Sequence, residues 1–425
     1  METTYFAMNP WWERKDIDSG IDRLEYLERL PALSRRKQIE VIVGGRRMGK
    51  TTLIKQFIKR LIQQGVEAKD ILYLALDNPS LSATPLSEHL KNIRKIHLHD
   101  RGRKLFLFLD EVQESVNWEA ELKSLYDMER LKIFCTGSTS ALIARERSRL
   151  TGRQIITTLY PLSFTEFLSF HSESPGLSED YKYERLLEDY LEKGGYPENV
   201  LNPSIEYLSN LVEDILSRDL IRIYPIKKAY ALKDLLRLIA SSVGSRTSFN
   251  KIGKVLGLSV DTVKEYVNYL EAAFLVKSVE KWTTSHTEKI YAQKKIYLWD
   301  TGIKTILTGA ADLGARAENA VLMELSRKKM ALGYFAESEK EVDFVVGEAK
   351  RFIPVEVKFI SSLDWTEKKF SGIKLFLRRF PEAQEVLLIT RSVEAELKVG
   401  QSIVRAIPLW RFLLSSASYL GTLQS

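Results

Sequence analysis

Eight residues, Gly44-Gly45-Arg46-Arg47-Met48-Gly49-Lys50-Thr51, fit G-x-x-x-x-G-K-T and stand between a β-branched run at 40–43 and a helical pattern. That pattern carries Leu53, Ile54, Phe57, Ile58, Leu61 and Ile62 on one face, and Thr52 opens it. Glycines let successive backbone N–H groups turn inward around phosphate oxygens, and the helix start adds its positive end. Lys50 then reaches the β and γ oxygens, while the Thr51 hydroxyl serves Mg²⁺. A Gly-rich turn with an incidental Lys-Thr is the bland alternative, and the strand-before, helix-after setting argues against it. ATP and Mg²⁺ are the expected ligands of residues 44–52. Arg46 and Arg47 belong to the loop by position only; their side chains receive no role.

A second apolar run at 104–109 ends in Asp110 and Glu111. In a parallel sheet its C-terminal end lies at the ligand edge, beside the phosphate loop. Asp110 is then the expected Mg²⁺ holder through water, and Glu111 the group that polarises the attacking water. Further apolar runs at 71–76 and 132–136 read as strands, so the fold class is α/β with a parallel sheet. Ser138, just past the last of these, is placed to sense the γ-phosphate. Arg153, in Thr151-Gly152-Arg153, is offered to a phosphate in cis or from a neighbouring subunit, against an ordinary surface arginine.

With 425 residues the chain calls for two to four domains. The expected divisions are an N-terminal helical segment (1–36), a nucleotide core (37–164), a helical lid (165–235), a winged helix (236–290) and a small α/β domain (291–425). The lone Cys135 excludes an intrachain disulfide framework and fits a reducing cytosol, and the five histidines show no zinc spacing. No secretory signal opens the chain, and no stretch of about 18 apolar residues suggests a membrane span. The expected location is cytoplasmic. A net charge of +7 permits an acidic partner such as nucleic acid without requiring one.

Downstream, residues 249–256 form a short amphipathic pattern, Gly257-Leu258-Ser259 a turn, and 260–275 a longer helical pattern with Ser259 as N-cap. This layout suits a helix docked in a DNA major groove. Its leading turn, Asp261, Thr262, Lys264 and Glu265, is nearly charge-balanced, which speaks for packing instead. Farther on, Asp343 and the segment Pro354-Val355-Glu356-Val357-Lys358 have the form Asp-x12-Glu-x-Lys, like a PD-(D/E)xK nuclease core. Strand period puts Glu356 and Lys358 on one face, and a hairpin brings Asp343 alongside them. Asp343 and Glu356 are candidate metal ligands, Lys358 a candidate water-orienting or charge-stabilising group. Glu318, on the preceding helix, is the candidate upstream acid, with Glu324 as alternative. The competing reading is an exposed strand with alternating charges, or a nuclease fold retained for binding.

With these residues assembled, the sequence resembles archaeal and bacterial AAA-type, STAND-like P-loop ATPases that carry a C-terminal domain of uncharacterised function. The resemblance runs over about residues 10–360. It is carried by 43–52, 108–112, 136–140, 151–153, Y-P-L-S-F-T-E-F at 160–167, G-G-Y-P-E at 194–198 and W-D-T-G at 299–302. It implies ATP binding, hydrolysis, a helical lid and a winged helix. Two functions stay open: ATP-driven action on double-stranded DNA, or a nucleotide-dependent signalling switch with a non-cleaving C-terminal domain. A homo-oligomer is compatible with both, and no membrane partner is expected.

Overall fold

The run Ile39–Val43 is buried at every position, as expected for a strand covered on both faces of a parallel sheet. It is β1 of five. With β2 (Ile71–Ala75), β3 (Leu105–Asp110), β4 (Leu131–Gly137) and β5 (Gln154–Thr158) it forms an all-parallel sheet in the order β2-β3-β4-β1-β5. The helix Lys50–Gln63 follows β1 and buries Leu53, Ile54, Phe57, Ile58 and Leu61. The strand bearing Asp110 is therefore not the neighbour of β1. β4 lies between them, so the two motifs meet only at the C-terminal edge of the sheet.

This computed structural model describes residues 1–137, 150–176, 179–348, 351–366 and 368–423. They fall into two compact units, Met1–Tyr160 and Pro161–Ser425. The first 36 residues are less helical than the sequence suggests. Short helices at Glu2–Met8, Pro10–Glu13, Leu24–Leu27 and Leu30–Arg35 are separated by irregular chain. The reason is side-chain pairing with the sheet edge. Asn9 accepts from the Tyr73 N–H and donates to the Tyr73 carbonyl, and the Trp11 and Trp12 indoles donate to the Ile71 carbonyl. Edge strand β2 thereby loses its open hydrogen-bonding groups.

The second unit begins with helices at Phe164–Phe170, Asp180–Lys193, Ile205–Asp214 and Ala229–Ser241. Three short segments lock together here. Asp300 accepts from the Gly195 N–H at 2.6 Å and the Gly302 N–H at 2.8 Å, and the Leu162 N–H donates to the Gly195 carbonyl at 2.7 Å. The motifs at 160–167, 194–198 and 299–302 are thus a structural clasp. Burial, opposed by those backbone donors, pushes the Asp300 carboxyl up to about 6.

Next come β6 (Arg246–Thr247), the helices Phe249–Leu256 and Val260–Ala272, then β7 (Val276–Val279) and β8 (Lys294–Leu298). The three strands form a sheet in the order β6-β8-β7. The chain continues through the helix Leu313–Arg327 into β9 (Leu332–Glu337), β10 (Lys340–Glu348), β11 (Arg351–Lys358), the helix Ser371–Arg379, β12 (Glu385–Thr390), β13 (Ala395–Val399) and β14 (Ser402–Pro408). These six strands order as β13-β14-β12-β11-β10-β9. β9, β10 and β11 are antiparallel, whereas β11, β12 and β14 run parallel.

A register shift between Val342 and Val345 interrupts the β9–β10 pairing. Strict alternation would put Val342 and Phe344 on one face. The bulge instead sends Val342 and Val345 into one core with Phe335, Phe352, Ile373 and Phe376. Phe344 meets Tyr297 on the other side, where Asp343 also points.

Candidate functional site

Within the first unit, the C-terminal edge of the sheet gathers the expected phosphate residues. Gly49 adopts φ +89°, where a side chain is strained, and a Cβ on Gly44 would lie 2.6 Å from the Leu159 carbonyl oxygen. Both glycines are therefore required by the backbone path. Arg47 is also left-handed, at φ 64°, and its side chain is exposed, while Arg46 is half-buried. Gly45 and Met48 are buried in the loop and Thr52 is half-buried at the helix start. Lys50 curls back over the loop and donates to the carbonyls of Gly44 at 3.1 Å and Gly45 at 3.2 Å. Its ammonium is positioned at the loop that anionic oxygens would enter.

Asp110 is the centre of the edge. Its Oδ2 accepts from the Thr51 hydroxyl at 2.6 Å and the Tyr73 hydroxyl at 3.0 Å, and its Oδ1 accepts from the Thr136 hydroxyl. Burial, then the Asp110 charge, raises the Tyr73 phenol well above its ordinary range, so Tyr73 stays a donor. Thr136 also accepts from the Glu111 N–H at 3.1 Å. Glu111 itself sits at φ 52°, a conformation that costs a non-glycine residue roughly 1–2 kcal/mol. Its carboxylate accepts from the Gln113 amide at 2.7 Å. The pair Thr51 and Asp110 offers the hard oxygen donors Mg²⁺ prefers, so these residues fit that ion.

One other expected residue is not brought here. Arg153 lies at the opposite edge: its carbonyl receives the Ile39 N–H and the next residue, Gln154, begins β5. Its guanidinium holds Asp127 at 3.0 and 3.2 Å. Five strand residues separate it from the phosphate edge, on the order of 16 Å, so it does not serve this loop in cis. Ser138 lies outside the described residues. Tyr73 and Thr136 were missed by motif reading, although a hydroxyl at the last turn of an apolar strand was a usable signal for Thr136.

A second cluster lies wholly in the C-terminal unit. Asp343 and Glu356 face each other across β10 and β11, and the Asp343 N–H donates to Glu356 at 3.2 Å. Lys358 contacts Glu356 at 2.5 Å and Asp343 at 3.9 Å. Glu318 accepts from the Tyr297 hydroxyl at 2.6 Å. Glu324 instead serves Arg327, Lys328 and Ser416. The expected quartet is therefore assembled, with Lys295 added to it. Lys295, fully buried on β8, lies 3.0 Å from Asp343 and 3.3 Å from both Glu318 and Glu341.

Burial works against the Lys295 charge, but Asp343, Glu318 and Glu341 outweigh it and hold the ammonium protonated. Burial and then Asp343 push the Glu318 and Glu356 carboxyls upward. At Asp343 burial is overcome by Lys295 and Lys358, which hold its carboxyl low. The carboxylates expected to bind metal are thus already paired with ammonium groups. Among the described residues no group of three or more His, Cys, Asp or Glu is arranged to hold a metal ion. A divalent cation does not fit this cluster as it stands. A cavity of about 990 Å³ near Trp282 and Tyr334 is lined by Arg246, which also pairs with Glu341 at 3.3 Å. Its four cationic and five acidic lining residues offset each other, unlike a phosphate-tracking groove.

Residues 36–168 match the family described as an AAA domain, while 184–314 and 313–412 match two domains of unknown function, DUF8612 and DUF4143. An uncharacterised protein of Haemophilus influenzae is 28% identical, covering 80% of this chain and 87% of its own length. An uncharacterised protein of Methanocaldococcus jannaschii is 26% identical, covering 93% of this chain and 94% of its own. Among solved structures, AMPPCP-bound DnaA from Aquifex aeolicus is 19% identical with TM-score 0.28, covering 62% of this chain and 92% of that one. The S. cerevisiae Hsp104:casein complex is 17% identical with TM-score 0.35, covering 63% and 53%. At such TM-scores neither structure carries an argument about this chain. No helix among the described residues is long and apolar enough to cross a membrane. The five-stranded parallel sheet, the loop at its C-terminal edge and the family match together mark residues 36–168 as an AAA-type P-loop domain.

Proposed function

We propose that this chain binds ATP with Mg²⁺ and hydrolyses it at residues 44–52, and that nucleotide state switches what its C-terminal unit binds. The observation that carries the proposal is Asp110, held by the hydroxyls of Thr51, Tyr73 and Thr136 at the mouth of the loop that contains Lys50. Bound Mg²⁺ would neutralise phosphate charge as the terminal bond breaks. In that assignment Lys50 steadies the β and γ oxygens, Thr51 and Asp110 hold the ion, and Glu111 orients the attacking water. Ser138 remains the proposed γ-phosphate sensor. Arg153 remains proposed only as a contribution to a neighbouring subunit.

For the C-terminal unit we read residues 236–290 as a winged helix closed by β8, supported by the helix–strand–helix–helix–strand order, a short helix His286–Tyr291 before β8, and the β6-β8-β7 sheet. The helix Leu313–Arg327, strands β9 to β11, helix Ser371–Arg379 and strand β12 repeat the αβββαβ order of a nuclease-like core. The exposed residues of the helix Val260–Ala272 include Asp261, Lys264, Glu265 and Asn268, a set without net positive charge. Duplex DNA recognition ordinarily draws on positive charge at the phosphates. This surface and the ammonium-paired carboxylates both favour a binding switch over an enzyme that cuts DNA.

The test is steady-state ATP hydrolysis with Mg²⁺, with and without duplex and single-stranded DNA, alongside light scattering in ATP, ADP and no nucleotide. The expected result is turnover changed less than about twofold by DNA, with particle mass that depends on nucleotide. Strong stimulation by duplex DNA at constant mass would restore the reading in which the unit acts on DNA.

A further inference from the structure

The second carboxylate cluster draws its members from distant parts of the C-terminal unit. Lys295 comes from β8, Glu318 from the helix Leu313–Arg327, Glu341 and Asp343 from β10, and Glu356 and Lys358 from β11. Three of the four carboxyls converge on one fully buried ammonium at 3.0–3.3 Å. The fourth, Glu356, is met by Lys358 at 2.5 Å. Arg246 covers the outer oxygen of Glu341 at 3.3 Å. Four carboxyls therefore face three cations.

We propose that the Lys295 ammonium is a built-in replacement for the divalent cation that this arrangement of Glu318, Asp343 and Glu356 would otherwise take. The inference rests on the nuclease-like reading of this core. It has a mechanical consequence as well. Lys295 enters from the three-stranded sheet, so the charge that replaces the metal also ties that sheet to the six-stranded one. A buried ion pair broken on one side leaves uncompensated charge behind. A chain that keeps the pair intact keeps the two sheets in one arrangement. The cluster then acts as a joint between two binding surfaces, with no hydrolytic water to activate.

Removing the ammonium while keeping the side-chain length should convert the joint into a cation site. The experiment measures Mn²⁺ bound by the nucleotide-free full chain, using equilibrium electron paramagnetic resonance, in the parent, Asp343→Asn, Lys295→Met, and Lys295→Met combined with Asp343→Asn. Any ion held near Thr51 and Asp110 is common to all four and subtracts. Lys295→Met is expected to gain a Mn²⁺ site at least about tenfold tighter than any the parent shows there, and Asp343→Asn is expected to abolish the gain. Far-UV circular dichroism checks that the variants are folded.

A Mn²⁺ ion bound by the parent and lost on Asp343→Asn alone overturns the proposal, whether or not Lys295→Met folds. Parent binding unaffected by Asp343→Asn supports it. A folded Lys295→Met that gains nothing also overturns it. A gained site indifferent to Asp343→Asn overturns the nuclease-like reading as well, which distinguishes that failure from the others.

Discussion

Replacing Glu111 with glutamine is expected to slow steady-state ATP turnover by about 10²- to 10³-fold while leaving ATP affinity within about twofold. The substitution keeps the length and one acceptor of the side chain, so the contact with Gln113 at 2.7 Å has a counterpart in the variant. What disappears is the negative charge that polarises a water toward the γ-phosphate. The backbone argues for a specialised position. Glu111 is held at φ 52° with its N–H on the Thr136 hydroxyl, and that same hydroxyl reaches Asp110. Strain of this kind persists where the surroundings over-determine a functional geometry. Single-turnover and binding measurements separate the two parameters. Equal turnover in the variant would remove Glu111 from the proposed chemistry, and lost binding would assign it to nucleotide positioning instead.

Gly194→Ala is expected to destabilise the C-terminal unit by at least about 4 kcal/mol, for reasons unrelated to catalysis. Gly194 sits at φ 77° and ψ −165°, a region open to glycine almost alone. A Cβ there would fall 2.0 Å from the Asp300 carboxylate and 2.6 Å from the Gly302 nitrogen. The intruding methyl displaces the carboxylate that caps both Gly195 and Gly302, so strain and the loss of two backbone partners act together. Gly309→Ala provides the comparison. It shares the backbone region, at φ 80° and ψ 175°, but has no heavy atom within 4 Å of an added Cβ, and should cost only the strain, about 1–3 kcal/mol. Urea unfolding followed by tryptophan fluorescence reads both. Equal stabilities for the two variants would mean the clasp contributes little.

Much of the nucleotide edge was legible because its information is local. Residues 44–51 specify their own turn, and the helix that follows needs only its apolar spacing. The pairing of Asp343 with Glu356 was also readable, since a hairpin and period-two strands fix which side chains meet. Harder to read was anything decided by strand order. No local pattern says that β4 inserts between β1 and β3, and that insertion brings Thr136 onto Asp110.

The same limit hid Lys295. In K-K-I-Y-L-W-D it reads as one of two lysines opening a strand, yet the fold buries it completely, 48 positions away from Asp343 in sequence. The bulge in β10 compounds this, because the simple alternation of Val342, Asp343 and Phe344 does not survive it. Arg153 shows the same limit. Thr151-Gly152-Arg153 offered an arginine to a phosphate in cis or from a neighbouring subunit, and only strand placement shows that a residue just before a parallel strand lies at the edge away from the ligand of its own chain. The Y-P-L-S-F, G-G-Y-P-E and W-D-T-G motifs were noticed for their particularity, and the clasp around Asp300 accounts for it through close backbone approach.

The central claim is that residues 44–52 with Asp110 form a working ATP·Mg²⁺ site, and a calorimetric titration of ATP tests it most directly. ATP would be titrated into the full chain and into Lys50→Ala, each with Mg²⁺ and with EDTA. The account predicts saturable binding to the parent that weakens when Mg²⁺ is removed, and at least about tenfold weaker binding to Lys50→Ala. Absence of binding to the parent, or equal affinity in parent and variant, would contradict it.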